Sequence, residues 1–143
     1  MRTRDLLFGG AGGGSKLADA GLLVVRVVAG VALAVNHGAG KIQDPSTVIR
    51  SAHSMHFPAP TFFGWMAAFS EFFGSILLAL GLATRPAAFL VACTMATAAF
   101  LFHADDNFKT REPALVFLSV AVLFLLAGSG RYGVDALLRR RKS

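Results

Sequence analysis

The sequence predicts an all-α integral membrane protein, a four-helix bundle with both termini cytoplasmic. Three observations predict it. Hydrophobic residues make up 55% of the chain and Asp, Glu, Lys and Arg only 15%, against about 25% charged in ordinary soluble domains. Four apolar stretches, 17–35, 61–83, 86–102 and 113–130, each approach the roughly 20 residues that cross about 30 Å of hydrocarbon. The basic residues are also divided unevenly. Four crossings bring both termini to one side, with the turn at Arg85, and that side carries nine Lys/Arg; the other carries four, Lys41, Arg50, Lys109 and Arg111. The positive-inside rule then puts the termini in the cytoplasm.

Residues 1–16 read as a flexible Gly-rich cytoplasmic tail. GGAGGGSK at 9–16 has Ser-Lys where a phosphate loop needs Lys-Ser/Thr, and no strand precedes it. Residues 17–138 form the transmembrane domain, and 139–143 a basic cytoplasmic tail. The first helix starts near Leu17 and is expected to end near His37, longer than a cleavable signal's apolar core. After it comes NHGAGK at 36–41, an amide, an imidazole, two glycines and an ammonium at the end of an apolar run. The segment 38–60 is broken by Gly and Pro, although STVIRSAHSMHF within it suits a short interfacial helix. The tight turn GLATRP makes the second and third helices antiparallel neighbours, and the third ends near His103. After the loop ADDNFKTRE, Pro113 falls near the first turn of the fourth helix, where proline is tolerated. GSGRYG closes that helix and VDALLRRRK is a short amphipathic tail. Small residues, among them Gly30, Ala34, Gly64, Ala68 and Gly74, allow close helix approach in lipid.

Several classes are excluded. The net charge of +6 is concentrated at the chain ends without a basic–aromatic platform, so nucleic acid is not a partner. The RRRK run at 139–142 reads instead as a topology anchor that attracts anionic lipid. A single cysteine, Cys93, allows neither a CxxC pair nor an internal disulfide; it is expected to serve packing. No flavin, haem or iron–sulfur signature is present.

Two charges fall inside the apolar spans, Arg26 and Glu71. Each costs about 2.5–3.5 kcal/mol at a helix centre, so each needs a partner. An intramembrane Arg26–Glu71 ion pair is the expectation, serving either to hold the bundle or to keep a proton-exchangeable, ligand-contacting carboxylate. The four histidines, 37, 53, 56 and 103, all fall on the outer side. His37, Lys41, His103 and Glu112 are the candidate ligand-binding residues at that rim, where imidazole and ammonium groups suit a quinone carbonyl or proton relay. HSMH at 53–56 has the i, i+3 spacing that places both rings on one face of a helix. No cysteine or acidic pattern completes a metal site, and no metal is assigned.

The ordered set Arg26, HGAGK at 37–41, FPAP at 57–60, EFFGSILLALGLATR at 71–85, His103, Glu112 and GSGRYGVDALL at 128–138 resembles the DoxX family of small four-helix membrane proteins. The resemblance spans about residues 20–138. It implies a multi-pass protein of a bacterial or archaeal inner membrane. Family members have been linked to an archaeal thiosulfate:quinone oxidoreductase and to a mycobacterial membrane complex with superoxide dismutase and a sulfurtransferase. The expected function is therefore a membrane subunit associated with an oxidoreductase or respiratory-type complex, presenting a quinone or small-ligand site at the outer rim. The partners are the lipid bilayer and a membrane or periplasmic protein, with homo-oligomers as a further option. The alternative is a structural or assembly subunit without chemistry of its own. A transporter ranks third, since no inverted repeat or broken mid-depth helix is evident.

Overall fold

The computed structural model describes residues 15–140. The Gly-rich tail, except its last two residues, and the end of the basic tail lie outside the described residues. Among the described residues there are helices and no strand. In chain order they are α1 Lys16–Gln43, α2 Ser46–Ser54, α3 Pro60–Leu80, α4 Thr84–Phe102, α5 Phe108–Ala127 and α6 Val134–Arg140. Four of them, α1, α3, α4 and α5, are long and apolar enough to cross a membrane.

The spans close into a ring in which α1 packs on α3, α3 on α4, α4 on α5 and α5 back on α1. Small side chains make this possible: Ala68, Ala88, Ala99 and Ala121 have no exposed surface. Larger groups fill between them, Leu33 with Val91 and Met95, and Leu78 with Phe124. Val24, Val28, Phe89, Phe100, Val116 and Leu126 point outward, as a hydrocarbon surround allows. Cys93 is exposed on the surface of α4 and not packed inside. The ends of the described chain come together at one end of the bundle, here the terminal end. The other end carries α2 and the loop between α4 and α5.

Three boundaries differ from the sequence reading. The first helix does not stop at His37: it continues to Gln43 by widening into a π-helical turn at Ala34–Gly38. The glycines of NHGAGK do not break it, because their φ angles stay helical and the chain is held by its packing on α3. Pro113 is not in the first turn of its helix. Asn107 caps the helix early, its side chain accepting from the Thr110 N–H at 3.1 Å, so Pro113 falls inside α5. The paired face of His53 and His56 does not form either. Helix α2 ends at Ser54, and His56 sits beyond it with φ 58°.

Alpha-helix α2 lies against the start of α3, and Gly64 makes the contact: a Cβ there would stand 2.9 Å from the Ile49 Cα. Two further π turns interrupt the spans, Ser70–Gly74 in α3 and Ala98–Phe102 in α4. Such turns leave backbone groups without their α-helical partners and occur often at functional sites. Here the Ala99 carbonyl accepts from Arg111 Nε of α5 at 3.1 Å.

Candidate functional site

The expected Arg26–Glu71 pair does not form. Helical Cβ bonds tilt toward the helix N-terminus, and α1 and α3 are antiparallel. Arg26 therefore leans toward the terminal end and Glu71 toward the opposite end, so the two side chains diverge. Arg26, only 1% exposed, donates from Nε to the Ala79 carbonyl at 3.1 Å, from Nη1 to the Ser129 carbonyl at 2.5 Å and from Nη2 to the Tyr132 carbonyl at 3.4 Å. Ala79 lies in the last turn of α3, and Ser129 and Tyr132 follow the C-terminus of α5. A cation where helix carbonyls run out is favoured by both hydrogen bonding and the helix dipoles.

The rest of the terminal end is built round this guanidinium. Gly81 has φ +68°, and a Cβ on it would collide with the Arg26 head group. Asp135 of α6 is 2% exposed and caps α4, accepting from the Ala83 N–H at 2.8 Å, the Thr84 N–H at 2.9 Å and the Thr84 hydroxyl at 2.7 Å. Asp19 of α1 accepts from the Arg131 N–H at 3.0 Å. These contacts tie α1, α3, α4 and the segment 128–136 into one clasp. Sequence reasoning passed over Asp19, Thr84, Ser129 and Asp135, although lone acids at 19 and 135 among basic neighbours were a usable signal.

Glu71 finds a different partner. Lys41 Nζ stands 2.6 Å from both carboxylate oxygens. The same tilt explains it, since the Lys41 side chain leans toward the terminal end and meets Glu71 leaning the other way. Gly38 brings the helices close enough: a Cβ there would lie 2.6 Å from the Phe72 backbone, on the π turn that carries Glu71. Gly40 faces open space. The exposure is unequal, 3% for the Glu71 side chain and 30% for Lys41. A buried carboxylate is thus joined to the exterior through one half-wet ammonium. Two of the ammonium's three donors serve Glu71, and the third is free for another acceptor. Beside Glu71, the Ser70 hydroxyl is buried and has no hydrogen-bond partner among the described residues.

The remaining candidates belong to the same end of the bundle, and none of them bonds to this pair. His37 is exposed on the first π turn and makes an edge-to-face contact with Phe117 of α5, ring centroids 5.7 Å apart. His103 Nδ1 pairs with Asp106 Oδ2 at 2.6 Å, which fixes the ring and leaves Nε2 as its second polar atom. Glu112 is exposed and makes no hydrogen bond or ion pair among the described residues. At the turn into α2, Asp44 accepts from the Ser46 N–H at 3.0 Å, and this backbone hydrogen bond holds its carboxyl below the usual carboxylate range. No group of three His, Cys, Asp or Glu side chains able to hold a metal occurs among the described residues.

The fold and its buried charges define a multi-pass, all-helical membrane protein with four bundle-forming spans. The chain belongs to the DoxX family, whose model matches residues 21–104, more than half of it. Arg26, His37, Lys41, Glu71 and His103 fall within the matched residues; Glu112 and the 128–138 segment lie beyond them. No curated protein and no solved structure matches the chain.

Proposed function

We propose that this protein is a membrane subunit of an oxidoreductase assembly and that it holds a small carbonyl-bearing ligand, a quinone, at the end of the bundle opposite the chain termini. The observation that carries this reading is the Lys41–Glu71 pair: a 3%-exposed carboxylate linked to a lysine that is 30% exposed and has a donor to spare. Lys41 donates to the ligand carbonyl, Glu71 supplies or accepts the accompanying proton, and His37 stands on the same π turn as Gly38 to flank it. In this reading His103, paired with Asp106, and Glu112 contribute from the same end. A quinone brings its own redox chemistry; the chain contributes the hydrogen bond, the proton and an apolar approach. An open apolar groove of about 250 Å³ runs between α1 and α3, from Ala79 and Leu80 near the terminal end to Val35 and Phe72, the residue after Glu71.

In this reading the termini are cytoplasmic and the site faces the outer side of a bacterial or archaeal plasma membrane, where a membrane or periplasmic protein supplies or takes the electrons. The charge distribution supports that orientation. The test is quinone-dependent oxidoreductase activity in native membranes carrying Lys41→Met or His37→Ala. Loss of activity with the subunit still inserted and assembled supports the reading. Full activity in both variants would leave the protein a structural or assembly subunit.

A further inference from the structure

The hydroxyl groups on the spanning helices behave in two ways. A serine or threonine within a helix can satisfy its hydroxyl on the carbonyl four residues earlier. Thr94 of α4 and Ser119 of α5 do so, donating to the Leu90 and Leu115 carbonyls at 3.1 and 2.8 Å. Ser70 and Ser75 of α3 do not. They are 3% and 0% exposed, yet neither hydroxyl has a hydrogen-bond partner among the described residues. Buried hydroxyls are rarely left in that state. Both flank the π turn Ser70–Gly74 that carries Glu71.

Beside Ser70 there is room. Gly74 has ordinary helical backbone, φ −58°, so its missing side chain is not required by conformation. A Cβ there would stand 3.4 Å from Val91 Cγ2, 3.8 Å from the Ala87 carbonyl oxygen and 3.9 Å from Ser70 Oγ, all ordinary contacts. One buried donor and one carbonyl acceptor of α4 thus border the same small space. A space that takes a methyl takes one heavy atom, and its polar edges call for a molecule that both accepts and donates. Water is such a molecule, and buried water is held by two to four polar groups of this kind.

We propose that Ser70, Gly74 and the Ala87 carbonyl form a buried binding site for a single water molecule, which accepts from Ser70 Oγ and donates to Ala87. The water ties the π turn of α3 to α4 and so steadies the segment from which Glu71 reaches Lys41. This inference is independent of any ligand at Lys41–Glu71.

The test compares the full chain in nanodiscs with Ser70→Ala and Gly74→Ala, by thermal midpoint and by nuclear Overhauser contacts between water and the Val91 methyl groups. Val91 is 1% exposed, so a water contact there reports the interior. The expected result is a contact in the unaltered chain that is lost in both variants, each with a midpoint lower by about 2–4 °C, the scale of one lost hydrogen bond. A dry site gives the opposite sign. Ser70→Ala would then remove an unsatisfied polar group, Gly74→Ala would fill space and favour the helix, and both midpoints would rise. Raised midpoints in both variants, no water contact at Val91 in the unaltered chain, or a contact that survives in Gly74→Ala overturns the proposal.

Discussion

The two ends of this bundle solve the same problem, an ionisable side chain inside an apolar fold, in opposite ways. At the terminal end Arg26 is 1% exposed and surrounded by carbonyls from α3 and from the segment after α5. Its neighbours Asp19 and Asp135 are occupied by backbone N–H groups. Each of these three buried charged groups is turned onto the chain's own backbone. At the opposite end the charge rests on a single contact, and its basic member reaches the exterior. The first arrangement closes three chain segments round a cation that cannot give up its proton. The second keeps a carboxylate one side chain away from solvent. A buried charge by itself therefore says little about function; the number and kind of its partners say more.

The largest effect expected is at Arg26. Replacing it by Ala leaves three helix-end carbonyls without donors and removes the counter-charge near Asp135. Loss of a buried, fully bonded charge costs about 3–5 kcal/mol, enough to prevent assembly of many small domains, and Arg26→Ala should fail to give a cooperative thermal transition in detergent. If it unfolds like the unaltered chain, the closed end is not what holds the fold.

The pair at the other end should behave differently. Lys41→Met destabilises, because it leaves Glu71 buried with no donor among the described residues, whereas adding Glu71→Gln should recover most of that loss. The coupling in such a double-mutant cycle is expected at about 1–3 kcal/mol. A cycle in which Lys41 and Glu71 add independently would overturn the assignment of partners.

Next in size is the contrast between two glycines. Gly38→Ala drives a methyl into the Phe72 backbone, an overpacking worth about 1–3 kcal/mol, and should also separate Lys41 from Glu71. Gly40→Ala meets nothing and should stabilise the helix by up to about 1 kcal/mol. Thermal midpoints of the two variants should move in opposite directions.

The smallest effect concerns Asp44. Its carboxyl is held below its ordinary value of 3.8 by the Ser46 N–H. A depressed carboxylate contributes stability that is complete above the ordinary value and is lost as pH falls through the folded one. The start of α2 should therefore loosen only in acid below that range, seen as faster amide exchange at Ser46, and Asp44→Asn should flatten the dependence.

Much of this architecture was legible in the sequence because a bilayer imposes long apolar runs, and all four spans follow from length and composition. The boundaries at His37 and Pro113 were misplaced for local reasons. Gly38 looked like a helix stop but serves close packing, and Asn107 starts α5 earlier than the proline suggested. The error over Arg26 and Glu71 came from measuring depth alone. Antiparallel helices tilt their side chains in opposite senses, so Arg26 leans away from Glu71 while Lys41 leans toward it. The clasp residues were less visible, since a short polar segment such as GSGRYGVDALL shows its purpose only when it folds back on the bundle. The π turns leave no simple compositional mark, and their positions emerge from packing between spans.

The central claim is that the pair at the open end serves a ligand and the clasp serves the fold. It is tested most directly by purifying the chain from native membranes in nanodiscs and identifying bound small molecules by mass spectrometry, for the unaltered protein and for Lys41→Met/Glu71→Gln. The account predicts a retained quinone in the first and its loss in the second at a similar thermal midpoint. A quinone held equally by both, or by neither, would contradict it.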